Sequence, residues 1–287
     1  MDEAGRTDGP DYPETMKHLL LIALISTSAF AQGTIEIRKG GKVVATNQEE
    51  PVNAIRVLFI GNSLTFWNEL PWMTRRVAGS LGAKPPLLTE FNGMGGASLK
   101  QQWDRGNALR IIKQQRWDFV VLQPQSIEMI DRPEETTRYA RYFDQEIDKV
   151  GAKTVIFATW VPADRSMSEA ALTDRYVSLA QQLNARIAPI GAAFGQLART
   201  GMKVVDPGGV HPSLKGSYLA ACIFYSTFYG ASPAGAAHTF ETKFDVPESY
   251  RRDLEQDRID PETAAQIQSV AWKTVEALKP AKFSAAR

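Results

Sequence analysis

Two segments of the sequence carry residue types that together could perform nucleophilic catalysis. Ser63 follows the apolar run VLFI directly, in VLFIGNSLT (57–65), and His211 stands before Pro212 in GVHPSLKG (209–216). A serine becomes a nucleophile when a base lies within hydrogen-bond reach, and histidine can change its charge near neutral pH. The pair predicts acyl transfer with Ser63 as nucleophile and His211 as base. For Ser63 taken alone, an ordinary helix N-cap is an equal alternative.

The other residues that could do chemistry are few. The chain has three histidines, and His18 falls in a leader-like segment while His238 lies in the irregular stretch AGAAHTFET. The single cysteine, Cys222, sits in the apolar run LAACIFY and is typical of a buried core residue. A single cysteine excludes an internal disulfide or a zinc site of several cysteines. HExxH, Walker and GxGxxG motifs are missing, so we expect no metal and no cofactor.

The elements that must position these residues alternate along the chain. Short apolar runs read as strands, at 55–60, 87–91, 118–122, 153–159 and 186–190. Amphipathic patterns between them read as helices, at 70–82, 98–115, 134–150 and 168–184. This alternation predicts an α/β fold, a doubly wound parallel sheet of about five strands with helices on both faces. Ligands bind such sheets beyond the carboxyl ends of the strands, which is where Ser63 falls.

The N-terminal residues resemble an export signal. From Met16 the chain reads MKHLLLIALISTSAFAQ: a basic start, an apolar run and an Ala29-Phe30-Ala31 cleavage pattern. We expect residues 1–31 to be an extension plus signal peptide, residues 32–51 a linker or small hairpin, and residues 52–287 one domain with an irregular 231–260 segment and a C-terminal helix. The apolar run is too short for a stable membrane anchor, so we expect a secreted or periplasmic protein. The net charge of +1 indicates no nucleic-acid partner.

The motifs also resemble a known family. GNSLT resembles the nucleophile block of the SGNH (GDSL) hydrolases in a GNS variant, and GVHPSLKGSYLAA resembles their final block, in which D-x-x-H-P supplies acid and base. The resemblance covers residues 55–229. It implies a three-layer α/β/α sandwich of the flavodoxin-like SGNH type and a serine esterase activity.

The resemblance implies an oxyanion hole as well. NGMGGASLKQQW (92–103) is similar to the family's glycine block, which points to the Gly96 N–H, with Gly95 as the second choice. A plain strand-to-helix turn would also need such glycines. QPQS (123–126) stands where the family has G-x-N-D, so Gln125 aligns with the asparagine donor, with Gln123 as the alternative. The Ser63 N–H would be the remaining donor.

The acid departs from the family pattern. D-x-x-H would place it at position 208, which is Gly208, and the nearest acid is Asp206. A Pro207-Gly208 turn could return Asp206 to the imidazole, which predicts a triad of Ser63, His211 and Asp206. The alternative is a Ser–His dyad whose histidine is oriented by a backbone carbonyl.

The remaining expectations concern substrate. Trp67 and Asn68 follow the nucleophile closely and could contact it, although packing on the sheet is an equal alternative for Trp67. Trp160 follows a strand at its carboxyl end and could also border the site. We expect a secreted esterase acting on small acyl groups such as acetyl, with a small-molecule or carbohydrate ester as substrate. A non-catalytic carbohydrate-binding or surface protein on the same scaffold, or an acyltransferase, remains the alternative, because fold does not imply function. Labelling of Ser63 by a fluorophosphonate would separate an enzyme from a binding protein.

Overall fold

The fold is known from a computed structural model, which describes residues 37–39, 42–45, 53–239 and 259–278. Contacts divide the chain into residues 1–51 and residues 52–287. In the first unit, strands β1 (Ile37–Lys39) and β2 (Lys42–Ala45) pair antiparallel. The expected signal segment, residues 16–31, lies outside the described residues.

The second unit is built on one parallel sheet. Its strands are β3 (Ile55–Gly61), β4 (Leu87–Gly93), β5 (Phe119–Leu122), β6 (Lys153–Phe157) and β7 (Arg186–Ala188). The strand order is β4-β3-β5-β6-β7, and every pairing is parallel. The chain therefore leaves β3 first to one side and then to the other. This reversal of strand order makes the carboxyl end of β3 the place where a doubly wound sheet binds ligands.

Helices cover both faces of this sheet. They are α1 (Ser63–Phe66), α2 (Leu70–Ser80), α3 (Leu99–Arg105), α4 (Asn107–Gln114), α5 (Glu128–Asp131), α6 (Pro133–Lys149), α7 (Glu169–Gln182), α8 (Ile190–Ala198), α9 (Leu214–Tyr229) and α10 (Pro261–Leu278). Strand β3 shows why two layers are needed: Val57 and Phe59 point into one core, while Leu58 and Ile60 point into the other, all fully buried. Helices α2, α8, α9 and α10 pack in the first core, and α3, α4, α6 and α7 in the second. The predicted three-layer α/β/α fold is confirmed.

Local chemistry explains where the elements differ from the sequence patterns. The pattern at 98–115 forms two helices, because Gly106 adopts a left-handed conformation (φ 71°) that ends α3. The pattern at 186–190 ends as a strand at Ala188, and helix α8 follows. Gly191 permits this, since a Cβ there would lie 2.2 Å from the Thr159 carbonyl oxygen. In the described part of the chain, no helix combines the length and the apolar character needed to span a bilayer.

Candidate active site

The turn that presents Ser63 is held by its neighbours. Strand β3 ends at Gly61, and a side chain there would lie 2.5 Å from Thr65 Oγ1 and 2.6 Å from Gln123 Oε1, so only glycine fits. Asn62 is extended (φ −132°) and caps α1, accepting the Leu64 N–H at 3.1 Å with its side-chain oxygen. Ser63 therefore opens a helix at the carboxyl end of the strand where the sheet reverses.

The structure brings Ser63 to His211 across 148 residues of sequence. Ser63 Oγ and His211 Nε2 lie 3.0 Å apart, within hydrogen-bond range, and both residues are half-buried. This contact is the geometry that general-base activation of a serine requires.

Burial tunes the histidine for that task. It lowers the pKa of His211 below the usual 6.5, while the negative charge of Asp206 acts in the opposite direction. Because the lowering is the larger effect, the imidazole is neutral at pH 7 and can accept a proton.

Asp206 reaches the same ring through a tight loop. Its N–H donates to the His211 carbonyl oxygen at 2.8 Å, and Val205 and Pro212 form an antiparallel bridge just outside it. One carboxylate oxygen, Oδ1, accepts the N–H groups of Val210 and His211, each at 3.2 Å. The other, Oδ2, lies 3.7 Å from His211 Nδ1, which is longer than a hydrogen bond. The carboxylate thus faces the ring nitrogen opposite Ser63 without a direct bond.

The two alternatives for the acid can be placed on this loop. Gly208, where the family register would put the acid, is exposed, and a Cβ there would lie 3.5 Å from both Asp206 carboxylate oxygens. Within residues 53–239 and 259–278, no main-chain oxygen accepts a hydrogen bond from His211 Nδ1. Asp206 is therefore the group beside that nitrogen, and the choice between a triad and a dyad stays a prediction.

The glycine block lies against the nucleophile turn. Gly93 pairs with Gly61, and a Cβ on Gly93 would lie 2.0 Å from the Gly61 carbonyl oxygen. Asn62 Nδ2 donates to the Ala97 carbonyl oxygen at 3.0 Å and fixes the second turn to the first. Gly96 has a positive φ of 66°, which favours glycine.

Two backbone donors remain available in these turns. The N–H groups of Ser63 and Gly96 donate to no other residue in the described part of the chain. Unpaired backbone N–H groups beside a nucleophile are suited to hold a developing oxyanion.

The two glutamines after β5 have different surroundings. Gln123 is buried, and its Oε1 accepts the Asn62 N–H at 2.8 Å and Thr65 Oγ1 at 2.9 Å. Its Nε2 donates to the neighbouring Pro124 carbonyl oxygen. Gln123 therefore supports the nucleophile turn from inside the fold, and the alternative that it donates to an oxyanion is not supported.

Gln125 is half-buried and less engaged. Its Oε1 accepts the Ile127 N–H at 3.0 Å, while its Nε2 donates to no residue that the structure describes. The amide donor that the family resemblance requires is thus available at Gln125.

Sequence reasoning missed two side chains that bind these turns together. Gln102 Nε2 donates to the Gly61 carbonyl oxygen at 2.7 Å. Glu128 Oε2 accepts the N–H groups of Gln125 at 2.9 Å and Leu99 at 3.4 Å, and burial raises the Glu128 pKa. Both are polar residues buried where a helix pattern gives no reason to expect burial, so sequence offers little to identify them.

The three residues predicted to contact substrate lie in three different environments. Trp67 stacks on His211, with ring centroids 4.1 Å apart and planes at 13°. Asn68 Nδ2 donates to the Pro212 carbonyl oxygen at 3.2 Å and to Ser217 Oγ at 2.9 Å, so its amide joins two elements of the fold instead of facing a ligand. The prediction for Trp160 is wrong: it is 3% exposed and stacks on Phe194 in the core, because the chain stays buried beyond the end of β6.

No metal site adjoins this arrangement in the described residues, where no three His, Cys, Asp or Glu side chains are grouped to hold an ion. The chemistry on view is that of Ser63, His211 and the donors around them.

Comparisons with known proteins point to the same architecture. No family model matches the chain, and no curated protein sequence matches it. A proposed SGNH hydrolase from Slackia heliotrinireducens is 29% identical with a TM-score of 0.51, over 61% of this chain and 100% of that one. A DUF4886 family protein from Bacteroides uniformis is 19% identical with a TM-score of 0.58, over 81% of this chain and 98% of that one, and shows a shared fold. Together with the Ser63–His211 pair at the carboxyl end of β3, these findings place the chain in the SGNH superfamily of serine hydrolases.

Proposed function

We propose that this SGNH hydrolase is an esterase that removes small acyl groups, acetyl among them, through an acyl-enzyme on Ser63. The observation that carries the proposal is the 3.0 Å contact between Ser63 Oγ and His211 Nε2, made by a histidine whose pKa burial lowers. A neutral imidazole at that distance can take the serine proton at pH 7.

The proposed reaction proceeds in two halves. Ser63 Oγ bonds to the ester carbonyl carbon as its proton passes to His211 Nε2, and the N–H groups of Ser63 and Gly96 with the Gln125 amide receive the oxyanion. His211 then returns the proton to the leaving alcohol as the C–O bond to it breaks. Water attacks the acyl-enzyme with His211 again as base, which releases the acid and restores Ser63. Asp206 stabilises the imidazolium in both halves.

The surroundings of the site support a large alcohol group. Gly95 and Gly96, in the turn next to the nucleophile turn, are exposed, and Val210, which precedes His211 in the chain, is 44% exposed. Because His211 must protonate the leaving alcohol, we place that alcohol beside His211. An open edge there suits acetyl groups carried on carbohydrates, and this is the substrate class that we propose.

We further propose that residues 16–31 direct export and are removed. N-terminal sequencing of protein recovered from the medium or periplasm tests this, and a mature chain beginning at Gln32 is the expected result. A protein retained in the cytoplasm with residues 16–31 intact would contradict it.

Hydrolysis of nitrophenyl acetate and of acetylated xylan tests the proposed activity. Ser63→Ala should lower kcat by at least about a thousandfold, because the nucleophile is removed. Its melting temperature should stay nearly unchanged, since Ser63 Oγ hydrogen-bonds to His211 and to no other described side chain. His238→Ala is the matched control: His238 Nδ1 contacts the Ile259 carbonyl oxygen, away from Ser63, and its loss should leave kcat unchanged.

Two results would contradict the proposal. Activity of Ser63→Ala above about a tenth of wild type would place the nucleophile elsewhere. A large loss in His238→Ala would show that the base is misassigned.

A further inference from the structure

The ring of His211 is held on one face by Trp67, and this contact has a consequence for catalysis. The centroids lie 4.1 Å apart and the planes are nearly parallel, at 13°. The indole already attracts the neutral imidazole modestly, as stacked aromatic rings do. A cation over an indole face is attracted by it, and tryptophan is the strongest of the aromatic partners. The contact is therefore stronger when His211 carries the proton taken from Ser63.

Apart from the Ser63 contact at Nε2, the restraint on the Nδ1 side of the ring is weak. Asp206 Oδ2 lies 3.7 Å from Nδ1, beyond hydrogen-bond length, and Asp206 Oδ1 is already engaged by two backbone N–H groups. Among the described residues, Asp206 is the charged group that acts on the imidazole. Orientation of the ring thus needs a further contact, which the indole provides.

The segment that carries Trp67 is fixed to the loop that carries His211. After Trp67 the chain passes through two non-glycine residues with positive φ, Asn68 at 51° and Glu69 at 53°. Such conformations persist where the surroundings impose them, frequently at functional sites. Asn68 Nδ2 donates to the Pro212 carbonyl oxygen at 3.2 Å and to Ser217 Oγ at 2.9 Å. These bonds hold the indole over the ring of the residue preceding Pro212.

We propose that Trp67 is a positioning residue for His211, whose indole face orients the neutral ring and stabilises the imidazolium that forms when Ser63 attacks. The inference rests on the proposed function. It assigns Trp67 to the base, where the sequence alone predicted a substrate contact.

Trp67→Leu and Trp67→Phe test this. Leucine keeps an apolar side chain beside His211 but removes the π face, so kcat should fall about three- to thirtyfold with KM nearly unchanged. Phenylalanine keeps a weaker π face and should recover part of the loss. The acid limb of the kcat/KM profile should move to lower pH in Trp67→Leu, because the protonated imidazole loses a stabilising neighbour.

Trp72→Leu is the control for the loss of a nearby tryptophan. Trp72 packs against the core on α2, with Arg76 over its ring at 5.7 Å. It should leave the pH limb in place whatever its effect on stability. A Trp67→Leu variant with raised KM and normal kcat would assign Trp67 to substrate binding and overturn the inference. So would an unmoved limb or one moved to higher pH.

A measurement without substrate separates this inference from the proposed function. The chain has three histidines, so the His211 ring signals can be assigned by NMR with the His211→Ala variant and titrated directly. A lower His211 pKa in Trp67→Leu than in wild type supports the inference even if no ester is hydrolysed. An equal or higher value contradicts it even if the wild-type enzyme is an active esterase.

Discussion

Asn62 shows how a single residue joins two parts of this site. Its side-chain oxygen caps α1 while its Nδ2 donates to the Ala97 carbonyl oxygen at 3.0 Å. An aspartate, as in the GDSL form of this block, could keep the cap but has no hydrogen to donate. The asparagine therefore fixes the glycine turn, with its free Gly96 N–H, to the turn that presents Ser63.

Asp206 has the least direct contact of the proposed catalytic residues, so its substitution is informative. Asp206→Asn keeps an oxygen for the Val210 and His211 N–H groups but removes the charge near Nδ1. We expect kcat to fall by about a hundredfold to ten-thousandfold, through loss of the preferred tautomer and of imidazolium stabilisation.

The pH profile of Asp206→Asn provides a second test, through the direction in which its acid limb moves. The Asp206 carboxylate raises the His211 pKa, so its removal should lower that pKa further and move the acid limb of kcat/KM to lower pH. A loss of about tenfold or less with an unmoved limb would show that the site works as a dyad.

At the scale of elements, the site lies where the ends of three neighbouring strands are connected by a network of polar side chains. Buried amides connect them: Gln102 Nε2 bonds the Gly61 carbonyl oxygen, and Gln123 Oε1 receives the Asn62 N–H. Glu128 extends this network from the turn after β5 to the start of α3, by accepting backbone N–H groups from both. The helices and strands therefore set the position of Ser63 through side chains that bond to other parts of the fold.

Substitution of the two glutamines after β5 should have different effects: Gln123 should affect stability and Gln125 should affect activity. Gln123→Leu leaves the Asn62 N–H and Thr65 Oγ1 without their acceptor, which should lower the free energy of unfolding by about 1–3 kcal/mol for each group. Gln125→Leu should lower kcat about a hundredfold to a thousandfold if its amide holds the oxyanion. Its stability should change by less than about 0.5 kcal/mol.

Urea unfolding and steady-state kinetics on both variants provide the check. The assignment fails if Gln125→Leu is fully active, or if Gln123→Leu unfolds like wild type.

The strand ends were the most predictable part of this protein, and the network of polar side chains that connects them was the least predictable. The runs VLFI and FVVL are apolar at every position, as strands are in a sheet covered on both faces. Ser63 could be identified because it follows one of these strands, and His211 because the chain has only three histidines. The 3.7 Å placement of Asp206 depends on the path of one turn. The roles of Gln102, Glu128 and Trp67 depend on which side of each element faces the site. That direction cannot be deduced from one sequence where the local backbone is irregular.

For the molecule as a whole, one buried carboxylate should make stability depend on pH. Glu169 Oε1 accepts the Val161 N–H at 2.7 Å, while Oε2 is buried with no hydrogen-bond partner among the described residues. Burial raises the pKa of Glu169 from 4.5 to about 7. Between those values the folded chain holds a proton that the unfolded chain has released, so this group makes stability fall as pH rises. Glu128 contributes with the same sign.

Glu169→Gln keeps the acceptor for Val161 and removes the ionisation. Its melting temperature should match wild type near about pH 4 and exceed it near about pH 8. Asp174→Asn, an exposed carboxylate on the same helix, is the control and should show no such divergence. A Glu169→Gln variant less stable than wild type at the higher pH would contradict this account of Glu169.

The central claim, that Ser63 is a nucleophile activated by His211, is tested most directly by labelling the folded protein with a fluorophosphonate and locating the adduct by mass spectrometry. We expect one adduct, on Ser63, absent in Ser63→Ala and formed far more slowly in His211→Ala, with His238→Ala labelled as fast as wild type. No adduct on the wild-type chain, or an adduct on another residue, would contradict the claim and leave the SGNH fold as a scaffold without this chemistry.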